Sequence, residues 1–286
     1  MSARKVESRW GLADSADSDD SSSSAFSLPV PLISVDDPMS WRRRIDGGAE
    51  KASWLSATSV LRDATSRTPR ESLLEALSDA GTVMLPCAAI TSDDCLAMVI
   101  AISTAVPPSD AALAAAAADV VERVVRGTAL HLTPRSVDLL VGFLLKLIAA
   151  AVAPSGGSRT TAVLALRALG CVLFEHGERC AKWHESVHRA LVPLLAPPRA
   201  GAAPPPQTED TLSCVLVAVG NLVLRGGTKA RERHAAFFYP VMRVLSAGAA
   251  LPATTLTDVE YAARVLSSAL RALYAMLVAG DSAVRA

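Results

Sequence analysis

His184, Glu185 and His188 stand in the spacing H-E-x-x-H, inside the stretch CAKWHESVHRA. On an α-helix, residues four apart share one face, so both imidazoles can meet one zinc ion while the glutamate acts as general base. Cys180 lies a further turn back and extends the set to Cys180, His184 and His188 as zinc ligands. The chemistry this predicts is zinc-dependent hydrolysis. Two features oppose it. A catalytic zinc takes three protein ligands plus water, yet His188 is followed by RALVPLLAPPRAG, with no H-x-x-G-x-x-H and no glutamate before Glu209. Val187 and Leu191 also continue an apolar stripe, which gives the helix a packing role of its own. No Ser-His-Asp or Cys-His set can be nominated, and SGGS at 155–158 lacks the lysine and preceding strand of a phosphate loop. The main reading therefore assigns no catalytic residue, no metal and no cofactor, and takes HESVH as a partly buried helix face.

The elements that carry these residues are helical. Of 286 residues 51% are hydrophobic but only 4% aromatic, so the apolar content is mostly Ala, Leu and Val. Ala and Leu are strong helix formers, and the valines follow helical rather than alternating periods. The spacing predicts helices over about 49–66, 70–80, 93–105, 109–126, 134–152, 159–176, 180–195, 209–225, 229–247 and 258–279. Asp93 and Ser109 are expected N-caps, and Pro134 suits a first helical turn. Gly127, Gly177 and Gly227 are expected to end helices in left-handed geometry. The run LAPPRAGAAPPPQ, 195–207, must be a loop, since its prolines remove donors and fix φ.

These three glycines are 50 residues apart. At that offset TAVLALRALGCVLFEHG (161–177) lies over TLSCVLVAVGNLVLRGG (211–227), with Thr161 on Thr211, Ala168 on Ala218, Gly170 on Gly220 and His184 on His234. His188 falls on Phe238. The preceding unit, 116–127, joins the series, and SALRAL (268–273) echoes LALRAL (164–169). A helical hairpin leaves half of its apolar surface wet, and stacking neighbours buries it. The predicted architecture is all-α, an α-solenoid of stacked hairpins with a period of about 50 residues. Ala168, Gly170, Ala218 and Gly220 are expected where first helices cross closely.

Residues 1–36, with DSADSDDSSSS, are acidic and Ser-rich, too polar to offset the entropy of ordering, and are expected to be a disordered tail. Residues 37–286 form the helical domain. A formal net charge of +0 gives no sign of nucleic-acid or anionic-membrane binding. The N-terminus lacks an apolar signal region. The longest apolar run, 139–153, is short for a membrane span and carries Lys146. Five cysteines, Cys87, Cys95, Cys171, Cys180 and Cys214, sit mostly in apolar patterns, as buried reduced thiols do. A cytoplasmic or nuclear location is expected. Arg42, Arg43 and Arg44 after Trp41, and KARERH at 229–234, are read as solvated helix starts.

The segments ALRALGCVLFEHGERCAKWHE (165–185), AVGNLV (218–223) and YAARVLSSALRALYAML (261–277) resemble the N-terminal helical repeats of the HEAT repeat-containing protein 6 family, within the HEAT/armadillo-like superfamily. The resemblance covers about 160–280 and implies an α-solenoid with no catalytic centre and no functional residues to transfer. The chain is shorter than such proteins, so the resemblance implies either a fragment or an incomplete gene model. It predicts a non-enzymatic scaffold with an unidentified protein partner and no small-molecule substrate. The expected partner face is the row of second helices near 134–149, 180–195 and 229–245, where His184, His188, Arg231, Arg233 and His234 are expected to be exposed. Besides the hydrolase, an armadillo-like regulatory domain of a cytoskeletal or transport protein is the other alternative.

Overall fold

The computed structural model describes residues 48–85, 87, 89–127, 132–153, 157–198, 203–227, 234–251 and 254–279. The acidic tail 1–36 and the arginine run 42–44 lie outside them. Ten α-helices and no strand occur among the described residues: α1 (Gly48–Arg62), α2 (Arg70–Thr82), α3 (Ser92–Ala105), α4 (Ala111–Gly127), α5 (Pro134–Ala151), α6 (Arg159–His176), α7 (His184–Leu191), α8 (Thr211–Arg225), α9 (His234–Ala249) and α10 (Leu256–Ala279).

Helix starts are chemically defined. Thr91 and Asp94 form a reciprocal capping box on α3: the Thr91 hydroxyl accepts from Asp94 N–H at 3.2 Å, and the Asp94 carboxylate accepts from Thr91 N–H at 2.9 Å. Thr91, not Asp93, is thus the cap, because the box needs its carboxylate at the third helical position. At α4, Asp110 replaces the expected Ser109. One Asp110 oxygen accepts from Ala112 and Leu113 N–H at 3.1 Å, while Arg70 holds the carboxylate with two further bonds. Pro134 takes the first turn of α5 behind its Thr133 cap, and Ser158 and Asp210 cap α6 and α8.

Up to α8, even-numbered helices pack on the next even-numbered one, and odd-numbered helices up to α7 on the next odd-numbered one. Helices α2, α4, α6, α8 and α10 form one series of contacts, and α1, α3, α5 and α7 a second. A hydrophobic core runs between them, from Trp54 and Leu61 through Leu140 and Leu166 to Val265 and Met276. Small residues set the approach of the even-numbered helices. A Cβ on Gly170 would stand 3.9 Å from Ala218 Cα, and one on Gly220 would stand 3.4 Å from Ala272 Cα. Asn221 closes the first of these crossings by donating to Gly170 O at 2.8 Å.

Two sequence expectations change. Gly227 has φ +69°, as a left-handed helix end requires, and is the only positive-φ glycine among the described residues. Gly177 is right-handed (φ −52°, ψ −43°) and Gly127 does not have the left-handed geometry expected of it. Gly177 instead answers a steric demand, since a Cβ there would fall 2.5 Å from Arg225 O. The 50-residue offset also fails towards the N-terminus. Trp54 Nε1 donates to Asp94 O, and Arg70 pairs with Asp110, across 40 residues. The separation grows to 47 for Arg179 with Leu132 O, 51 for Asn221 with Gly170 O and 54 for Arg264 with Asp210. Longer connections, the proline-rich 195–207 among them, stretch the later steps without altering the helix packing.

Candidate functional site

The segment that carries the H-E-x-x-H spacing is three pieces, not one helix over 180–195. A 3₁₀ segment spans Gly177–Trp183, α7 follows, and a second 3₁₀ turn covers Val192–Leu194. Pro193, with no N–H to donate, sits inside that last turn. The first segment is tied to α5. Trp183 Nε1 donates to Asp138 Oδ1 at 2.9 Å, and Lys182 pairs with the other oxygen. Arg179 Nη1 donates to Leu132 O at 2.6 Å. Trp183 lies over Gly142, where a Cβ would approach its ring to 3.1 Å. The two donors, Lys182 first and then Trp183, hold the Asp138 carboxyl below the usual range.

This geometry takes Cys180 off the stripe that His184 and His188 share. Cys180 belongs to the 3₁₀ segment, whose pitch and rise differ from those of α7, so it does not continue the α7 stripe. Its side chain is fully buried, and burial, with a smaller contribution from the Asp138 charge, pushes its thiol up to about 12. A thiol in that state supplies little of the thiolate that binds metal. His184 is 3% exposed, and its Nε2–H donates to Gly177 O at 3.2 Å. His188 is half-buried and meets Phe237 of α9 edge-on, with ring centroids 4.7 Å apart. Glu185 points outward and pairs with Arg189 at 3.5 Å. The imidazoles thus serve the packing side of α7 while the carboxylate meets solvent. Among the described residues no group of three His, Cys, Asp or Glu side chains is placed to hold a metal ion.

The expected exposure of His184 is therefore corrected. Val187 and Leu191, both fully buried, drag the same face inward, and His184 goes with them. Arg231 and Arg233 lie outside the described residues. His234 opens α9 just as its counterpart His184 opens α7, but its side chain is also outside the description. The alignment of His188 with Phe238 has a physical counterpart, since the His188 ring rests on the neighbouring aromatic, Phe237.

Burial lowers the His188 pKa below its ordinary 6.5, and its Nε2 is buried with no hydrogen-bond partner among the described residues. The folded state thus disfavours the imidazolium, and the unfolded chain binds the proton more readily. Stability contributed by this residue is present above pH 6.5 and declines as pH falls below it. His188→Phe, which copies the aromatic of the sister helix, is expected to shrink the difference between melting temperatures measured at pH 5 and pH 7.5. An unchanged difference would remove His188 from the pH response.

A different surface has the character of a contact site. Tyr239, 74% exposed, and Met242 project from α9 beside Pro197. With Arg243, Ser246 and Ala247 they line a shallow, mainly apolar depression next to the proline-rich loop. The sequence places Tyr239 and Met242 in an ordinary helical run, and only the position of Pro197 against α9 turns them into a surface feature. Asp138, Trp183, Asp210 and Arg264 escaped notice in the sequence for a similar reason: their partners lie 45 and 54 residues away.

No family model matches the chain, and comparisons with the curated proteins and with solved structures also find no match. The class established by the structure is an all-α protein of helices packed in sequential order.

Proposed function

We propose that the chain is a non-enzymatic protein-interaction scaffold, built as a HEAT/armadillo-like α-solenoid that binds its partner on the odd-numbered helices. The exposed Tyr239–Met242–Pro197 depression carries the reading. It offers an aromatic anchor, a flexible thioether and one cation, Arg243, the side-chain types enriched at protein interfaces. The order of packing, with α2, α4, α6, α8 and α10 in one series and α1, α3, α5 and α7 in another around one core, supports the solenoid, because stacked hairpins bury a continuous core in this way. The use of His184 in packing and the outward turn of Glu185 support a role without catalysis. The partner chemistry that fits is a peptide segment or loop with an apolar side chain for the depression and a carboxylate for Arg243.

The test starts from proteins captured by the full chain and identified by mass spectrometry, with metal content measured on the same preparation. The leading partner is then titrated against Tyr239→Ala and Arg243→Glu. Each variant is expected to weaken binding by about tenfold or more, as hot-spot truncations do, with an unchanged circular dichroism spectrum. Charge reversal at Arg231 or Arg233 tests the two arginines that the sequence nominates for partner binding. Full affinity in all four variants overturns this placement. Stoichiometric zinc that disappears in His184→Ala, with peptidase activity lost in Glu185→Gln, overturns the scaffold reading in favour of a hydrolase.

A further inference from the structure

The last described helix, α10, is apolar on two faces. Its inner face buries Tyr261, Val265, Ala269, Ala272 and Met276, and packs on α8 and α9. The opposite face carries Leu256, Val259, Leu270, Tyr274 and Leu277, from 46% exposed at Val259 to 76% at Leu256. With half-buried Ala263 and Leu266 these residues recur in steps of three and four, which places them on one stripe. Two apolar faces are why α10 is long and apolar enough, by length and composition, to cross a membrane. The stripe continues the series of interfaces in which α6 meets α8 and α8 meets α10.

We propose that two copies of this chain pair through this stripe, α10 against α10, antiparallel about a two-fold axis near Leu266 and Ser267. This surface is distinct from the partner depression on α9. Three observations select this occupant. First, six of the stripe's positions are symmetric about its centre: Leu256 falls opposite Leu277 of the other copy, Val259 opposite Tyr274, and Ala263 opposite Leu270, with Leu266 beside the axis. The small Ala263 leaves room for the large Leu270, and the two-fold axis makes that fit twice. Second, Glu260 and Arg271 are both exposed and lie on one flank of the stripe. Antiparallel pairing sets Glu260 of each copy beside Arg271 of the other, whereas parallel pairing turns both towards the partner's uncharged flank. Third, another hairpin stacked as α8 stacks on α6 fits poorly. The series Gly170, Gly220 continues at Tyr274 when SALRAL is laid over LALRAL, and a tyrosine blocks the close approach that the two glycines allow.

Sedimentation equilibrium of the full chain, from below 1 µM to about 100 µM, tests the pairing. A reversible dimer is expected. Leu270→Glu is expected to weaken it by about 100-fold or more with an unchanged melting curve, since this side chain projects from the surface. Glu260→Arg and Arg271→Glu are each expected to weaken the dimer, and the two together in one chain to restore it, a recovery that general destabilisation does not produce. A chain that is monomeric throughout overturns the proposal, as does a dimer indifferent to Leu270→Glu. Failure of the double reversal to recover overturns the antiparallel register. A monomer that binds phosphatidylcholine vesicles and loses that binding in Leu270→Glu overturns the pairing in favour of a lipid surface.

Discussion

Asp210→Ala is expected to cost about 3–5 kcal/mol of folding stability, measured by urea unfolding. Asp210 is 2% exposed and does two jobs. As N-cap of α8 it accepts from Ser213 N–H at 3.1 Å, and it also accepts from the Ser213 hydroxyl at 2.8 Å. Across the helix stack it accepts from Arg264 Nε of α10 at 3.2 Å. Losing the cap alone costs about 1 kcal/mol. The larger part comes from Arg264, whose side chain is 19% exposed. Without Asp210 its charge stays largely buried, over the face of Tyr261 at 5.8 Å. Breaking one half of a buried pair is more damaging than replacing both halves. Asp210→Ala combined with Arg264→Met is therefore expected to recover a large share of the loss. A single-variant cost below about 1 kcal/mol would show that the link between α8 and α10 is not stabilising.

Gly177→Ala is expected to be at least as severe. The added Cβ would lie 2.5 Å from Arg225 O, 2.6 Å from its carbonyl carbon and 2.7 Å from its Cβ. These are backbone or near-backbone atoms, so no rotamer change relieves the clash, and the start of the 3₁₀ segment must separate from the end of α8. The expected loss is about 3 kcal/mol or more, at the upper end of single-residue effects. The signature is a lower urea midpoint, with Gly48→Ala as control, because nothing lies within 4 Å of the position of its Cβ. A Gly177→Ala protein as stable as the control would show that the segment and α8 do not meet so closely. The contrast with Gly227 is instructive. There the φ of +69° is the constraint, and the nearest side-chain atom, Glu178 Cγ, stands at 3.4 Å. Two glycines aligned by sequence are thus required for different physical reasons.

That pair marks where sequence reasoning reaches its limit. Gly177 and Gly227 occupy the same place in the 50-residue alignment, and sequence alone treats them alike. The need for glycine at 177 is decided by the end of α8, about 50 residues away. The Thr91–Asp94 box was also within reach of the sequence, since threonine three residues before an acid is a helix-start pattern. Asp93 is simply the wrong acid of an adjacent pair.

What the sequence determined by itself was local: which stretches are helical, where prolines and glycines interrupt them, and which small residues mark close crossings. Those properties depend on neighbours within a turn or two, and the bounds of α5, α6 and α8 follow from them. Only the tertiary structure decided which face each helix turns inward. His184 and Glu185 are adjacent in sequence, yet one donates to Gly177 O in the interior and the other pairs with Arg189 at the surface. It also decided that one apolar face of α10 is covered while the other stays open. Both outcomes are set by packing between helices far apart in the chain, as where His188 of α7 meets Phe237 and Arg264 of α10 meets Asp210, and a spacing rule that ends at one helical turn carries no information about them.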